Sequence, residues 1–386
     1  MPSRRAGSGR IAVRLTVPHL DERASPSGEV RALARHLPRD EFDLTICSLR
    51  ADGVDVMGPW LEGLGHRVVV SRFRPRGRSA RHLRAWIRDT RELDRQQPCD
   101  VQHSLDFTSS PLEALAARVR RVPFVFSQRN MAENSNLLLL RAKGRLARGA
   151  IAISPATARL LRSVGLRDRR LHEVANGVDR ARFEADSAPD PELPDRYLLL
   201  VSNVQRRKRI QDAVAALALR RDEHPDQHLV IAGGVYDEGY RAEIDRQAAS
   251  GAVGDRVHFV GSRHDVPRLM RHAEALVHCS ESEGFGWILI EAMAAGLPVI
   301  TSANEGATDI VTHDESGLVV AIGQVDGYAE AVRRLADEPG LRERLVAGGH
   351  ALVARRFSAE HMAQGWAQVY RSLAPARSPR ADQGDG

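Results

Sequence analysis

The sequence predicts an α/β protein made of two doubly wound domains that face each other across a cleft. Short apolar runs alternate with amphipathic helical stretches along the chain, and an acidic, proline-rich segment interrupts this alternation once before it resumes. Apolar runs of four to seven residues bounded by turn residues suit strands that are buried on both faces. Strand–helix alternation is typical of a parallel sheet covered by helices.

Size and composition agree with two domains. The 386 residues exceed one ordinary domain of about 100–200 residues, and 42% hydrophobic with 27% charged residues exclude a disordered chain. The three cysteines have no paired spacing, so neither a disulfide framework nor a zinc site is predicted. No apolar run reaches the roughly 20 residues of a membrane span, and Arg14 interrupts the apolar N-terminal stretch, which has no cleavage site after it. We therefore expect a cytoplasmic protein.

The N-terminal domain is predicted over residues 1–183, where the alternation is continuous. Its strands are predicted at residues 11–17, 43–48, 67–70, 100–104, 124–127 and 150–154. Its clearest helices are predicted at residues 79–96, 110–119 and 155–164.

Residues 184–195 form the predicted linker, and the C-terminal domain follows over residues 196–355. Its strands are predicted at residues 197–204, 228–233, 257–261, 275–280, 298–301 and 317–320, and its last helices at 326–337 and 341–355. A closing helix is expected over 356–373, and the polar tail 374–386 is expected to be disordered.

The most informative segment, E-G-F-G-W-I-L-I-E-A-M-A, follows a predicted strand and enters a helix. Gly284 and Gly286, on either side of Phe285, allow backbone N–H groups to approach a ligand, and the helix N-terminus favours an anion there. Glu283 precedes the helix and Glu291 lies on its second turn. Each glutamate alone is better explained as a cap or a solvated residue. Together, at the carboxyl end of a strand, they favour a ligand site.

The longer string E-G-F-G-x4-E-A-M-A-x-G-x-P-V, which ends at Val299, resembles the E-x7-E signature of family 4 glycosyltransferases. Those enzymes have the GT-B fold of two Rossmann-like domains. Three further stretches are similar to segments of the family: A-N-G-V-D ending at Asp179, D-V-Q-H ending at His103, and the closing helix, which in that fold packs back on the first domain. The resemblance covers nearly the whole chain.

The resemblance implies retaining transfer of a hexosyl group from a UDP- or GDP-sugar to a hydroxyl of a glycan, lipid or small molecule. It implies that Glu283 contacts the transferred sugar, that Glu291 contacts the ribose hydroxyls, and that Gly261 lies in the loop beside the base. Neither carboxylate is placed as a covalent nucleophile, so we expect front-face displacement assisted by the leaving phosphate. We expect no metal and no cofactor, because the nucleotide-sugar is a substrate.

Four adjacent cations, residues 206–209, follow the first strand of the C-terminal domain. Such a run usually indicates a solvated face or a nucleic-acid contact, but here it falls at the carboxyl end of a strand. In the family a basic pair at this place binds the donor diphosphate, and Lys208 with Arg207 match it best. Fixed cations would stabilise the departing diphosphate without a metal. Many relatives carry Gly-Arg where this chain has Ser202-Asn203, so Asn203 can offer only a hydrogen bond.

The N-terminal half departs further from the family. The usual glycine pair of the first strand–helix loop is absent, and Gly28 is the only glycine of residues 19–28. Arg129 stands near the place of a common histidine, and a ligand contact and a packing role remain equally open for it. His103 ends a strand that we expect to face the cleft, although a structural role is favoured for it over an acceptor contact.

The net charge of +6 and the pI of about 9.7 come mainly from arginine. A nucleic-acid-binding protein is disfavoured, because no recognition module is found and aromatic residues make up only 5%. The basic helix 79–96 could contact an anionic membrane from the cytoplasmic side. An ordinary surface helix is favoured, because Asp89, Glu92 and Asp94 dilute its charge.

Two alternatives of related architecture stay open. A nucleotide-sugar epimerase shares the fold and the donor, but the long glycosyltransferase-like string opposes it. A non-catalytic binding protein would account for the missing N-terminal residues, but Lys208, Glu283 and Glu291 are intact.

Overall fold

The computed structural model describes residues 9–21, 25–71, 80–105, 108–131, 136–184 and 187–375. The part of the predicted tail beyond residue 375, and residues 72–79 of the arginine-rich stretch, lie outside the described residues. Within the described ranges no helix is long and apolar enough to cross a bilayer.

The first half of the chain folds around a seven-stranded parallel sheet with the order β3-β2-β1-β4-β5-β6-β7. Its strands are β1 (Ile11–Val17), β2 (Phe42–Ser48), β3 (Arg67–Val70), β4 (Val101–Ser104), β5 (Phe124–Gln128), β6 (Gly149–Ala152) and β7 (Leu171–Glu173). Six of them lie within two residues of the predicted positions. Strand β7 was not predicted, because its three partly exposed residues show no apolar pattern and are ordered by pairing with β6.

Helices cover both faces of this sheet. They are α1 (Ser25–His36), α2 (Val54–Gly63), α3 (Ala80–Gln96), α4 (Leu112–Val119), α5 (Leu137–Leu146) and α6 (Pro155–Ser163). The short α7 (Ala181–Glu184) follows them in the chain but packs on the second half, where its Phe183 is buried. Local sequence determines several of the starts: Asn136 caps α5, and Ser154 forms a capping box with Thr157 at α6.

The second half folds around a six-stranded parallel sheet with the order β10-β9-β8-β11-β12-β13. Its strands are β8 (Tyr197–Val201), β9 (His228–Ala232), β10 (Val257–Gly261), β11 (Ala275–His278), β12 (Val299–Ser302) and β13 (Leu318–Val320). The prediction of a strand over 197–204 was too long. Strand β8 ends at Val201, and Val204 forms only an isolated bridge with Val235.

The remaining helices cover the second sheet and return to the first. They are α8 (Ile210–Leu219), α9 (Glu238–Ser250), α10 (Val266–His272), α11 (Trp287–Ala294), α12 (Glu305–Thr308), α13 (Val325–Asp337), α14 (Leu341–Arg356) and α15 (Ala359–Leu373). Helix α15 buries Trp366 and Tyr370 in the core of the first half and packs against α1. A bridge between Val178 and Ser358 joins the two crossing segments.

The order of the strands shows where ligands can bind. It reverses direction between β1 and β4 in the first sheet and between β8 and β11 in the second. In open α/β sheets a crevice forms outside the carboxyl ends of the strands at such a reversal. The prediction of two doubly wound domains is confirmed, and the loops after β8 and β11 lie at the expected crevice.

Candidate active site

The loops at the carboxyl ends of the two sheets meet directly. A Cβ atom on Gly284 would lie 2.4 Å from the carbonyl oxygen of Arg129, and the Ser154 hydroxyl donates a hydrogen bond of 2.6 Å to the Gly284 carbonyl. On the other side, a Cβ atom on Gly28 would lie 2.9 Å from the ring of Trp287. Two of the predicted site glycines therefore lie at contacts between the halves, where they allow close approach.

Glu283 lies in the loop after β11 and accepts hydrogen bonds on one carboxylate oxygen. Its Oε1 atom forms an ion pair with the Lys208 ammonium and accepts a 2.7 Å hydrogen bond from Ser280 Oγ. His278 Nε2 lies 3.3 Å from the same oxygen. The side chains of Lys208 and Glu283 are only 12% and 16% exposed. The structure therefore brings together two site residues that are 75 positions apart in the sequence.

These neighbours determine the ionisation of Glu283. Burial by itself raises the pKa of the carboxyl group, but the Lys208 charge and the hydrogen bond from His278 outweigh it. The pKa of Glu283 consequently lies well below its usual range. The side chain is a carboxylate at any pH near neutrality, so it can accept hydrogen bonds but has no proton to donate.

The four adjacent cations after β8 diverge to different partners. Arg206 pairs with Glu243 at the surface, and Arg209 pairs with Asp212 on α8. Only the two predicted donor-binding cations face the loop of Glu283. Lys208 reaches the carboxylate itself, and exposed Arg207 has Nη1 3.4 Å from the Ser282 carbonyl.

The segment after Glu283 is rigidly packed. Phe285 is buried and packs edge-to-face against Phe357, with ring centroids 5.8 Å apart. Gly286 has a φ of +84° where α11 begins, a left-handed conformation that favours glycine. This turn begins α11, the helix that carries Glu291.

Glu291 is held by a residue that the sequence did not single out. Arg182 of α7 donates a 3.0 Å hydrogen bond from Nη1 to Glu291 Oε1, and the Trp287 side chain also donates to the carboxylate. Burial raises the pKa of Glu291, and the Arg182 guanidinium opposes that rise.

Asn203 and Gly261 lie at the carboxyl ends of two strands of the same sheet that are separated by β9. Asn203 follows β8, and Gly261 ends β10 with its carbonyl accepting a 2.8 Å hydrogen bond from the Gly233 amide. Gly261 has a φ of +67° and nothing within 4 Å of its absent side chain, so this corner is open.

The N-terminal candidates occupy a buried polar network. His103 is fully buried, with Nδ1 2.8 Å from the Tyr370 hydroxyl and Nε2 2.9 Å from Ser127 Oγ. Burial and the nearby Arg129 charge lower the pKa of His103 to about 3, so its ring is neutral. The Arg129 side chain is 5% exposed and pairs with Glu29, which is completely buried on α1.

Sequence reasoning missed His278, Ser280 and Arg182 as members of the site. The first two stand at the end of β11, so the strand position was a usable signal for them. Arg182 lies 109 positions from its partner, and no local pattern indicates that contact. Among the described residues, no cluster of three or more His, Cys, Asp or Glu side chains could hold a metal ion.

Family models match two adjoining stretches of the chain. Residues 30–182 match the model described as Glycosyltransferase Family 4, and residues 182–351 match the model described as Glycosyl transferases group 1. The D-inositol 3-phosphate glycosyltransferase of Frankia alni is 31% identical over 314 residues, which cover 72% of this chain and 75% of that protein. The chain belongs to glycosyltransferase family 4.

Another curated relative of this family 4 chain matches over a shorter stretch. The glycogen synthase of Mycobacterium tuberculosis is 34% identical over 214 residues, which cover 54% of this chain and 50% of that protein. The chain thus spans about half the length of this relative.

Solved structures confirm the GT-B fold. Anabaena HepE in complex with UDP and glucose has a TM-score of 0.77 at 20% identity, covering 94% of this chain and all of that one. The sucrose-phosphate synthase of Thermosynechococcus elongatus has a TM-score of 0.75 at 22% identity, covering 94% and 99%. The expected family and architecture are therefore both confirmed.

Proposed function

We propose that this chain catalyses retaining transfer of a hexosyl group from a UDP- or GDP-sugar to an acceptor hydroxyl. The observation that carries the proposal is the Lys208–Glu283 ion pair at the reversal of the second sheet, with Glu291 on the helix that follows. Its position agrees with the family signature and with the crevice where a nucleotide is expected.

Lys208 and Arg207 are proposed to bind the donor diphosphate. Lys208 has one ion-pair partner in Glu283, and its ammonium has three donors, so it can bind a phosphate oxygen as well. Arg207 is exposed beside the same loop. Positive charge in a partly desolvated crevice stabilises the diphosphate as it departs.

Glu283 is proposed to orient the transferred sugar. All of its described hydrogen bonds go to Oε1, which leaves Oε2 as the natural acceptor for a sugar hydroxyl. A permanently ionised carboxylate held this way also offers favourable electrostatics to an oxocarbenium-like anomeric carbon.

The proposed reaction is a front-face displacement. The acceptor hydroxyl oxygen attacks the anomeric carbon on the face from which the diphosphate leaves. The bond between that carbon and the phosphate oxygen breaks, and the acceptor proton passes to the departing phosphate oxygen. The products are a nucleoside diphosphate and a glycoside with retained configuration. Because Lys208 and Arg207 supply the positive charge, we propose that no metal is required.

The first half is proposed to bind the acceptor, which is a glycan, a lipid-linked molecule or a small molecule. A lipid-linked acceptor is compatible with the surface of the helical layer α3–α4–α5. That layer exposes the leucines at 137, 138 and 139, of which Leu138 is 80% exposed. It also exposes six arginines whose side chains pair with no described residue: Arg84, Arg91, Arg118, Arg121, Arg141 and Arg145. Exposed apolar side chains and cations together favour an anionic membrane surface.

Two experiments test this function. In a thermal-shift screen of UDP, GDP and their sugars, the ligands that carry one of the two bases should raise the melting temperature of the protein. If none of these ligands raises it, donor binding is contradicted. With that donor, release of nucleoside diphosphate should depend on the acceptor and persist in EDTA. Loss of release in EDTA would contradict metal independence, and full release without acceptor would indicate hydrolysis instead.

The membrane contact has its own test. The protein should sediment with vesicles of phosphatidylcholine and phosphatidylglycerol at low salt, remain free with phosphatidylcholine alone, and detach in high salt. Equal sedimentation with both vesicles, or with neither, would contradict an electrostatic surface contact.

A further inference from the structure

Glu291 does not lie alone in the cleft, because Arg182 is already bound to it. The Nη1–Oε1 distance is 3.0 Å, and the two side chains are 27% and 14% exposed. An ion pair this shielded from water is stronger and more ordered than a surface pair.

The backbone around Arg182 is held firmly against the second half of the chain. The neighbouring Phe183 is buried in the core of that half, and its carbonyl accepts a 2.9 Å hydrogen bond from Arg271 of α10. Because Glu291 belongs to α11 of the same half, Arg182 and Glu291 keep their spacing independently of the first half.

Three groups act on the Glu291 carboxylate from different elements. Arg182 approaches from α7, Trp287 donates from one turn earlier on α11, and the Arg31 charge acts from α1 of the first half. Arg182 makes a hydrogen bond with the carboxylate, and Arg31 acts on it through its charge. The orientation of the carboxylate therefore depends chiefly on Arg182 and Trp287.

We propose that Arg182 is a positioning residue that orients the Glu291 carboxylate to accept hydrogen bonds from the donor's ribose hydroxyls. This inference rests on the proposed function, in which Glu291 binds the ribose. Arg182 acts through Glu291 and does not itself contact the reacting atoms.

The charge of Glu291 makes the inference testable. A carboxylate can accept from both vicinal hydroxyls, whereas a protonated carboxyl must use one oxygen as a donor. Burial favours the protonated form, and Arg182 opposes it. Removing Arg182 should therefore raise the pKa of Glu291, so that ribose recognition weakens at low pH and recovers as the pH rises.

The experiment measures the Kd of UDP and of 2′-deoxy-UDP by calorimetry at pH 5 to 8, and of GDP and 2′-deoxy-GDP if GDP is the better ligand. The ratio of the deoxy to the ribo Kd reports recognition of the 2′-hydroxyl and cancels any titration of the phosphates. The variants are R182M, which keeps a long side chain without the charge, R182K, which retains the charge, and E291Q. The matched control is R180A, because Arg180 is exposed and its ion-pair partner among the described residues is Glu184.

At pH 8 we expect the ratio to be about tenfold lower in E291Q than in the wild type, as for loss of one charge-assisted hydrogen bond. In R182M the ratio should lie below the wild-type ratio at every pH, because the orienting hydrogen bond is missing, and the loss should be largest at pH 5. In R182K the ratio should be largely restored, and in R180A it should be unchanged.

The possible failures are distinguishable. An unchanged ratio in E291Q would contradict the ribose site and hence this part of the proposed function. If the ratio falls in E291Q but equals the wild-type ratio in R182M at every pH, the role of Arg182 is overturned while the ribose site stands. A fall in R182M that R182K does not restore at any pH would also overturn it, because it would indicate a purely structural effect. If R182M fails to fold, a wild-type ratio in R182K at every pH supports the role of the charge, and a ratio as low as that of E291Q contradicts it.

Discussion

The carboxyl edges of the two sheets are built alike but hold their polar residues differently. In the second half, Lys208, Glu283 and Glu291 are paired yet remain 12–16% exposed, at the point where the strand order reverses. In the first half, His103 is fully buried and the Arg129 side chain is 5% exposed, so their polar atoms are used inside the protein.

This difference shows how one architecture serves two purposes. The network of Arg129 and Glu29 supports the backbone carbonyl against which Gly284 packs, so it helps to place the loop of Glu283. The polar groups of the second half keep enough accessible surface to meet a ligand. We therefore expect the chemistry to take place at the carboxyl ends of the second sheet. The residues at the carboxyl ends of the first sheet are expected to align the two halves.

The largest expected effect is loss of transfer when the Lys208–Glu283 pair is broken. We expect K208A and E283A each to lower kcat/KM by at least about 100-fold, roughly 3 kcal/mol, as for loss of one preorganised electrostatic contact. Steady-state kinetics with the donor found in the screen would measure it. The matched controls are R206A and E281Q, which alter exposed charges of the same loops. Near wild-type turnover in K208A or E283A would contradict the conclusion that the chemistry lies at the carboxyl ends of the second sheet.

The second prediction concerns stability rather than activity. We expect H103L to lower the free energy of unfolding by about 2–4 kcal/mol, because the Tyr370 and Ser127 hydroxyls lose their buried partner. The kcat/KM of the protein that remains folded should not change. Urea denaturation and kinetics at low temperature would measure both, with the exposed H361L as control. A stable but inactive H103L would instead place His103 in the acceptor site.

The third prediction tests the contact between the halves. In G284A the new Cβ would lie 2.4 Å from a backbone oxygen, so the loop of Glu283 must shift. We expect a loss of about tenfold in kcat/KM, within the 1–3 kcal/mol typical of overpacking. In G63A nothing lies within 4 Å of the added atom, so no loss is expected. Equal kinetics for the two variants would show that the contact does not align the site.

The smallest expected effect is on the pH dependence of stability. The folded-state pKa of Glu283 is depressed, so its ionised form stabilises the fold above the unfolded-state pKa of about 4.3. That contribution is lost as the pH falls below this value toward the folded-state pKa. The melting-temperature difference between wild type and E283Q should thus be constant from pH 8 to 5 and shrink below about pH 4.3. A difference that stays constant below about pH 4.3 would contradict the ionisation assigned to Glu283.

The sequence by itself determined the two-sheet architecture and most of the donor-side site. Strand and helix positions follow from apolar periodicity, which is local, and the segment from Glu283 to Glu291 carries its geometry in its own glycines. Short elements escaped this reasoning, since β7 is ordered by pairing rather than by pattern. The end of β8 was also misplaced, because the apolar Val204 was included although the ladder ends at Val201 and Val204 forms only an isolated bridge.

The tertiary structure alone decided which side chains meet. No local pattern in the sequence indicates the pairs of Arg182 with Glu291 and of Glu29 with Arg129. The same is true of the contact between Tyr370 and His103, which are 267 positions apart. Such partners depend on how the sheets and the closing helix pack, and not on any periodicity along the chain. Burial and pairing in turn decide which side chains can reach a ligand: Arg129 is enclosed in the first half, while Arg207 remains exposed in the second.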